Sequence, residues 1–591
     1  MEPISAFSVY ETECKNTEQL SSEKKKKKKL QRALNRKQKD VKQTSVKQQI
    51  QDKGIKSTRK LNSVNNRTLI SKINNVRIMH RKLQLKAMRE HKKKSKKNLN
   101  KRKTILMTDA GVTENNRTGS SENDLNIDSN HTSHSNNTSI EMNEKYGDVY
   151  RNPCMDSHQL LQWLLCPMHV ETFLEQNWEN TPMYVKRDTP DYYKSLVSTP
   201  LLDEVLRKNH IQFTKNIDIT SYSNGVRETH NPPGRALPSV VWDYYRNKCS
   251  VRMLNPQTFI PRIHALNATL QEFFNCFVGA NLYLTPPNSQ GFAPHYDDVE
   301  AFILQVEGQK RWKLYKPLNA NEYLPRYSSK NFDQSEIGEP ILDTIVKAGD
   351  LLYLPRGTIH QGVTLGDTHS LHVTLSVYQK NSWCDFLEKL LPQALKQAAE
   401  NDVRFREGLP LDCLTYVGTA HSEGYRKDVF KNKVKDLITL MLDHIDIDNA
   451  ADLMAKSHIH DFLPPFVFKS ERKCTVMEDG EVMTSNGLVK NHAEITLETK
   501  IRLLRLHCIR LIKEDTYKIY YSTENSKEYH EYEPQFLEVD EEFVSGIKQM
   551  IAAYPEFISV KKLLIETDDA KIQIVKDLWE KGLISTEDPL C

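Results

Sequence analysis

A chain of 591 residues with 27% charged residues and a mean hydropathy of −0.62 has room for several domains and holds no apolar run long enough to span a membrane. The net charge of +6 hides an asymmetry: residues 1–105 carry 32 lysines and arginines against 8 acids, a net of +24, and the remainder carries 51 against 69, a net of −18. Ten scattered cysteines without a C-x-x-C pair argue against a disulfide scaffold or a zinc ribbon and predict reduced thiols inside the cell.

Residues 1–105 form a basic arm that includes the run Lys24 to Lys29. Its low aromatic content predicts disorder, with some helical potential from Leu69 to Arg89. Such an arm reads either as a nuclear or nucleolar address with an RNA contact through phosphate neutralisation, or as a solvated tail. Residues 106–148 are an Asn/Ser/Thr-rich linker; no N-terminal apolar signal core precedes it, so its Asn-X-Thr sequons, such as the one at Asn116, are incidental. Amphipathic patterns at His158–Leu165 and Val170–Trp178 predict helices, with Trp163 and Trp178 in a core.

Strands follow. Asn281–Thr285 alternates, with Asn281, Tyr283 and Thr285 on one face. Ala301–Glu307 reads as a buried strand, Glu307-Gly308 as a hairpin turn, and Gln309–Tyr315 as the returning strand, which turns Lys310 inward with Trp312 and Leu314. Turns at Gly349-Asp350 and Pro355–Gly357 bracket a short strand, Leu351 to Leu354, and His360 comes just after. In Ser370–Val377 a polar face of Ser370, His372, Thr374 and Ser376 opposes an apolar one; it either lines a site or faces solvent. Helical patterns return at Cys384–Leu391, with a stop near Pro392 and continuation to Ala398. Another runs at Lys433–Asp446, with a stripe of Val434, Leu437, Ile438, Met441, Leu442 and Ile445. Residues 383–490 are a dimerisation region or a plain helix pair. Residues 491–591 read as a hairpin (Leu503–Ile512 and Tyr517–Tyr521) followed by helices capped by Asp540 and Ser559 and a third at Ala570–Lys581, a winged-helix-like set. With 13 basic against 20 acidic residues this module would repel phosphates, which disfavours DNA reading.

The chemistry concentrates in His295-Tyr-Asp297, answered by His360. Side chains on a strand alternate faces, so on a strand His295 and Asp297 at i and i+2 point to one side, and two imidazoles with one carboxylate on one face of a metal form the facial triad of non-haem Fe(II) oxygenases. A lysine on an apolar strand face demands an anion, and the tail carboxylate of 2-oxoglutarate would serve Lys310.

The stretch Ala280–Asp298, with Gly349–His360, resembles the JmjC ribosomal oxygenases, and the resemblance extends over roughly residues 150–591. It implies an α+β protein with a double-stranded β-helix (cupin) core at 149–382, a helical dimerisation region at 383–490 that makes a homodimer or higher homo-oligomer, and a winged-helix-like domain at 491–591. It implies Fe(II) held by His295, Asp297 and His360, and 2-oxoglutarate paired with Lys310, with Asn281 and His372 as neighbours. Arg252, Tyr283 and Ser376 resemble substrate-contacting positions. The implied reaction is hydroxylation of a histidine in a large-subunit ribosomal protein, with demethylation of methyl-lysine in a histone H3 tail as a second outcome, in the nucleus or nucleolus. A methylammonium calls for an aromatic cage, which the inward faces do not offer, so histidine ranks first. The rival reading is a non-catalytic cupin scaffold that binds nucleolar RNA or ribosome-assembly factors through the basic arm.

Overall fold

A computed structural model describes residues 152–492, 494–528 and 533–590. The expectations for the basic arm, its helix at 69–89 and the linker lie outside the described residues. Helices α1 (Pro153–Leu165) and α2 (Val170–Gln176) lead into β1 (Met183–Val185), and α3 (Thr199–Lys208) into the hairpin β2 (Ile217–Ser223) and β3 (Val226–Thr229). Next come α4 (Pro238–Arg246), β4 (Ser250–Leu254), α5 (Pro261–Phe274), β5 (Gly279–Thr285), β6 (Glu300–Tyr315), β7 (Leu342–Lys347), β8 (Leu351–Leu354), β9 (Ile359–Val363) and β10 (Ser370–Val377). The strands form one antiparallel path, β1-β8-β6-β10-β5-β4-β2-β3, with β7 and β9 joined to β6. Leu282, Leu284, Leu371, Val373 and Leu375 lie in the core with Phe173, Phe302 and Tyr353, and Trp163 and Trp178 pack half-buried against it.

The hairpin expected at Glu307-Gly308 does not form. β6 runs unbroken for 16 residues and belongs to two layers. Residues 300–308 lie between β8 and β10, and residues 309–315 between β7 and β9. Gly308 is where the strand changes layers: its φ is +63°, and a Cβ there would lie 1.8 Å from the His369 carbonyl oxygen. A register shift in β10 between Leu371 and His372 absorbs the bend. The same glycine that reads as a turn in one dimension therefore serves as a crossing point in three. Gly308→Ala is expected to cost about 2 kcal/mol or more through strain and backbone contact, as a lowered urea midpoint, and an unchanged midpoint would contradict this account.

α6 (Trp383–Asn401) begins with a capping box in which the Ser382 hydroxyl accepts from the Asp385 amide and the Asp385 carboxylate accepts from the Ser382 amide. It passes through Pro392 without the expected stop, and Leu390, Ala394 and Ala398 stay buried along one side across it. α7 spans Tyr425–Met441, followed by α8 (Ile447–Asp461). The apolar stripe predicted here is not core: Val434, Ile438, Leu442 and Ile445 are exposed.

In the C-terminal part, β11 (Ile509–Lys513) and β12 (Tyr517–Tyr521) make the expected hairpin and β13 (Gln535–Val539) extends it, while Leu503 belongs to a separate three-stranded sheet. Helices span Glu541–Ala553 and Asp568–Glu580, and Ser559 precedes only a 3-10 turn, Val560–Lys562. This part is tied to α5 by a buried network. The Glu272 carboxylate accepts hydrogen bonds from His507 and from the Tyr554 hydroxyl. Burial opposes charge on His507, but Cys508 and Glu272 beside it raise its pKa to about 10. Burial likewise pushes Glu272 up, and His507 overrides it and holds the carboxylate below its ordinary range.

Candidate metal centre

His295 and Asp297 lie in an extended loop rather than in the strand expected of them, and His360 lies in β9. A single antiparallel bridge joins the two histidines: the His360 amide donates to the His295 carbonyl at 2.8 Å, and the His295 amide to the His360 carbonyl at 3.3 Å. Residues paired in this way present side chains on one face, so the rings meet with centroids 4.6 Å apart. The Asp297 carbonyl accepts from the Gly357 amide at 3.0 Å, which ties the loop to the turn before β9.

Each imidazole is oriented by its own backbone. His295 Nδ1 lies 2.8 Å from the Ala293 carbonyl and His360 Nδ1 3.0 Å from the Thr358 carbonyl. A carbonyl only accepts, so each Nδ1 carries the proton and each Nε2 offers its lone pair. Both Nε2 atoms face Asp297, one 3.7 Å from Oδ1 and the other 3.7 Å from Oδ2. One donor atom from each of the three residues falls within 4.8 Å of the others. Cis donors on an octahedral metal of bond length about 2.1 Å sit about 3 Å apart, so a small inward movement closes this set on a divalent ion. Burial, with His295 next to it, lowers the His360 pKa to about 4, so the ring is neutral and free to ligate at pH 7. Two imidazoles and a carboxylate confined to one side fit Fe(II) with open positions opposite.

Beside the triad stands an uncompensated charge. Lys310 is 5% exposed, and its Nζ donates to Thr285 Oγ1 at 3.1 Å. Burial alone lowers its pKa to about 7. Its stem passes over Gly362, where a Cβ would come within 2.9 Å of Lys310 Cε. His372 is buried with Nδ1 unpartnered, stacked on Tyr283 at 4.9 Å with an 11° tilt, and burial followed by Lys310 holds its pKa well below the ordinary value. The donor set and the buried, acid-free ammonium together fit a metal-bound dicarboxylate such as 2-oxoglutarate.

Cross-strand register sets the rest of the wall. Asp218, Arg252, Tyr283 and His372 are successive partners across β2, β4, β5 and β10, so one row of side chains crosses the sheet. Arg252 is ion-paired with Asp218, and Ser250 donates to Thr285 at 3.3 Å. Asn281 is half-buried opposite Thr374. Ser376 lies two positions further along the polar face, opposite Gly279, and lines a separate cleft with Cys276, Val299 and His458. The polar face of β10 is buried or half-buried, not a solvent face. Sequence reading puts Thr285 on the polar face without its contact to Lys310, and misses Phe292 and, as a wall of the site, Trp312. Trp312 contacts His360 and His372 at ring distances of 6.0 and 5.5 Å, and Phe292 contacts Tyr283 and His295 at 5.5 and 6.3 Å. Alternation places Trp312 beside Lys310, a usable signal; nothing local marks Phe292.

The Lys310 ammonium sets a pH test. Below pH 7 it is charged in folded and unfolded chains alike and the burial cost is complete. As pH rises from about 7 toward 10.5 the folded chain releases the proton first and the cost fades. In chelator-stripped protein, Lys310→Met is expected to raise the melting temperature at pH 6.5, with the gain shrinking toward pH 10, while 2-oxoglutarate affinity is lost. A melting temperature that falls at pH 6.5 would contradict the uncompensated charge.

A model of the JmjC domain matches residues 252–385, and one described as "Ribosomal oxygenase 1, C-terminal winged helix domain" matches residues 463–590. A Culex quinquefasciatus protein named bifunctional lysine-specific demethylase and histidyl-hydroxylase NO66 is 52% identical over 71% of this chain and 65% of its own length. Ribosomal oxygenase 1 of Gallus gallus is 47% identical over 73% of this chain and 72% of its own, and that of Danio rerio is 46% identical over 73% and 80%. Among solved structures, the Escherichia coli ribosomal oxygenase YcfD in complex with cobalt and 2-oxoglutarate aligns over 71% of this chain and 99% of its own, with 12% identity and a TM-score of 0.37.

Proposed function

Since the chain belongs to the ribosomal oxygenase family of JmjC proteins, we propose that it is an Fe(II)- and 2-oxoglutarate-dependent oxygenase that hydroxylates a histidine of a large-subunit ribosomal protein. The observation that carries this reading is the convergence of His295, Asp297 and His360 donors beside Lys310, a buried cation with no acid of its own among the described residues.

When bound, Fe(II) would activate O2 with 2-oxoglutarate as the electron donor, so that one oxygen atom of O2 goes to a substrate C–H bond and the other to succinate as CO2 is lost. The chain supplies orientation. His295 and His360 turn their Nε2 atoms toward Asp297 because their Nδ1 protons are held by backbone carbonyls. Lys310 and the Thr285 hydroxyl receive the distal carboxylate, and binding returns a full charge to an ammonium that burial has made a weak base. Trp312, Phe292 and Tyr283 exclude water around the reacting carbon. Arg252, held by Asp218, and Tyr283 offer fixed donors at the mouth, where they hold the substrate side chain and backbone.

Among the described residues, the aromatic side chains around the site are engaged with other groups and do not stand as a cage for methyl-lysine. Tyr283 is stacked on His372, Phe292 lies under Arg252 at 5.4 Å, and Trp312 takes Lys310 at 5.4 Å. This ranks histidine hydroxylation, a stable product, above removal of an N-methyl group, in which the hydroxylated methyl leaves as formaldehyde. A histone H3 tail stays the second substrate. The +24 arm suits an acidic partner such as ribosomal RNA and a nucleolar address.

Purified protein with Fe(II), 2-oxoglutarate and histidine-bearing ribosomal-protein peptides is expected to yield peptide heavier by one oxygen. His295→Ala and Asp297→Ala should each reduce this by more than about 100-fold. Peptide unchanged under conditions in which metal and 2-oxoglutarate bind would refute the reading and favour a scaffold. A trimethyl-lysine H3 peptide that yields formaldehyde faster than any histidine peptide is oxidised would reverse the ranking.

A second copy of this chain is the proposed cover for the helical region. Trp383 (82% exposed), Leu395, Leu414, Tyr425, Val429 and Ile438 crowd an apolar surface on α6, α7 and their link. Light scattering is expected to give a dimer or higher oligomer, and Ile438→Asp with Val429→Asp a monomer; a wild-type monomer at micromolar concentration would exclude it.

A further inference from the structure

The sheet face that carries His372, Tyr283, Arg252 and Asp218 as one cross-strand row extends, further along β2, onto the edge strand. β3 pairs with β2 so that Arg227 lies opposite Tyr222, and Tyr222 shares a face with Asp218 by strand alternation. In β3, Val226, Glu228 and Thr229 are exposed and Arg227 alone is drawn in. Its guanidinium carbon stands 4.5 Å from the centroid of the Phe292 ring, which Arg252 also covers at 5.4 Å. That ring abuts His295, so Arg227 is two contacts from a metal-binding side chain.

The platform is held firmly. A Cβ on Gly291 would come within 2.5 Å of Ser250, so the Gln290–Phe292 loop lies directly on the sheet, and the Tyr222 amide donates to the Gln290 carbonyl at 2.9 Å. Two cations thus flank one ring, and a single carboxylate serves them. Asp218 is already committed, one oxygen to Arg252 and the other to the Asn231 amide at 2.8 Å. Arg227 forms no ion pair with any described residue, and its Nε is buried without an acceptor. Burial, followed by the Arg252 charge, weighs against its own charge. Such a group, left without an acceptor at considerable cost, is completed by something that arrives. What can arrive here is constrained by the strand that carries it: β3 ends the strand order, so its outer edge has no partner strand among the described residues. An extended polypeptide laid along that edge offers a carbonyl at every residue, with a side chain free to enter the metal site.

We propose that Arg227 is a substrate-binding residue that donates from its guanidinium to a main-chain carbonyl of the target polypeptide, next to the residue being modified. The inference rests on the hydroxylase reading above and adds an anchor for the substrate backbone at the edge of the sheet. Arg252 and Arg227 then have separate roles. The first is held by Asp218 and set in place before substrate binds, and the second is completed by substrate.

The test compares wild type with Arg227→Gln and Arg227→Lys in the full chain, on the ribosomal peptide that the wild type hydroxylates. Arg227→Gln is expected to raise KM for peptide by about 10- to 100-fold while kcat and Mn(II) affinity, read by calorimetry, hold within about threefold, with Arg227→Lys between the two. An alkene isostere that replaces the amides flanking the target residue one at a time should weaken binding to wild type by a similar factor at one position and leave Arg227→Gln unaffected there. KM within about twofold of wild type in Arg227→Gln overturns the proposal, as does a loss that follows an acidic side chain of the peptide rather than an amide. Loss of Mn(II) affinity with the same substitution also overturns it, because the residue would then be supporting the metal loop. Wild type that oxidises no ribosomal peptide overturns the hydroxylase reading itself, a different outcome from these.

Discussion

Two backbone hydrogen bonds between His295 and His360 decide where everything else in the centre stands. They pair a loop with the strand β9, and that pairing puts two imidazoles on one side at a ring distance of 4.6 Å with Asp297 below them. A slip of one residue would turn one ring to the opposite face and dissolve the donor set. The pairing holds because β9 is itself registered against the second half of β6, where Leu314 lies opposite His360 and Trp312 opposite Gly362. β6 in turn reaches that layer only by crossing from the first, at Gly308. Register is therefore transmitted from the main sheet to the metal donors through a single continuous strand.

Charge is distributed with the same economy. Away from the site, buried ionic groups are matched: Glu272 with His507, Arg505 with Glu471, and Arg356 with Glu179. Buried pairs of this kind add little net stability but are costly to break, and the Glu272–His507 pair thereby fixes how the C-terminal module seats on α5. At the site the pattern reverses. Among the described residues, Lys310 has only a hydroxyl to donate to, Arg227 has no carboxylate, and His372 keeps an unpartnered nitrogen. Stability is given up locally where a co-substrate and a substrate would restore it, the usual arrangement in a site that must bind anions and oriented peptide dipoles.

Much of the centre is legible without coordinates because its signals are local. The i, i+2 spacing of His295 and Asp297, the inward position of Lys310 and the alternating faces of β5 and β10 are consequences of backbone geometry at short range. The mismatches share a cause. Gly308 reads as a turn and Pro392 as a stop because each usually is one over a window of a few residues. In the folded chain the first is a crossing between layers and the second is carried within a helix whose buried face continues past it. The stripe Val434–Ile445 has the period of a core helix, yet period reports only that an apolar face exists and not what covers it.

The sequence by itself determined the donor types, their spacing, the anion-seeking lysine and the family, since these are properties of residue identity and order. Only the tertiary structure decided which groups share a wall. Arg252, Tyr283 and His372 come from three strands far apart in the chain; Thr285 and Arg227 join them through sheet register, and Phe292 from a loop that lies on the sheet. Ser376, on the same polar face as His372, lies four residues further along β10, about 13 Å at about 3.3 Å per residue, and lines a cleft with Cys276 and His458. The order of residues states what a site can be made of; the pairing of strands states which of them meet.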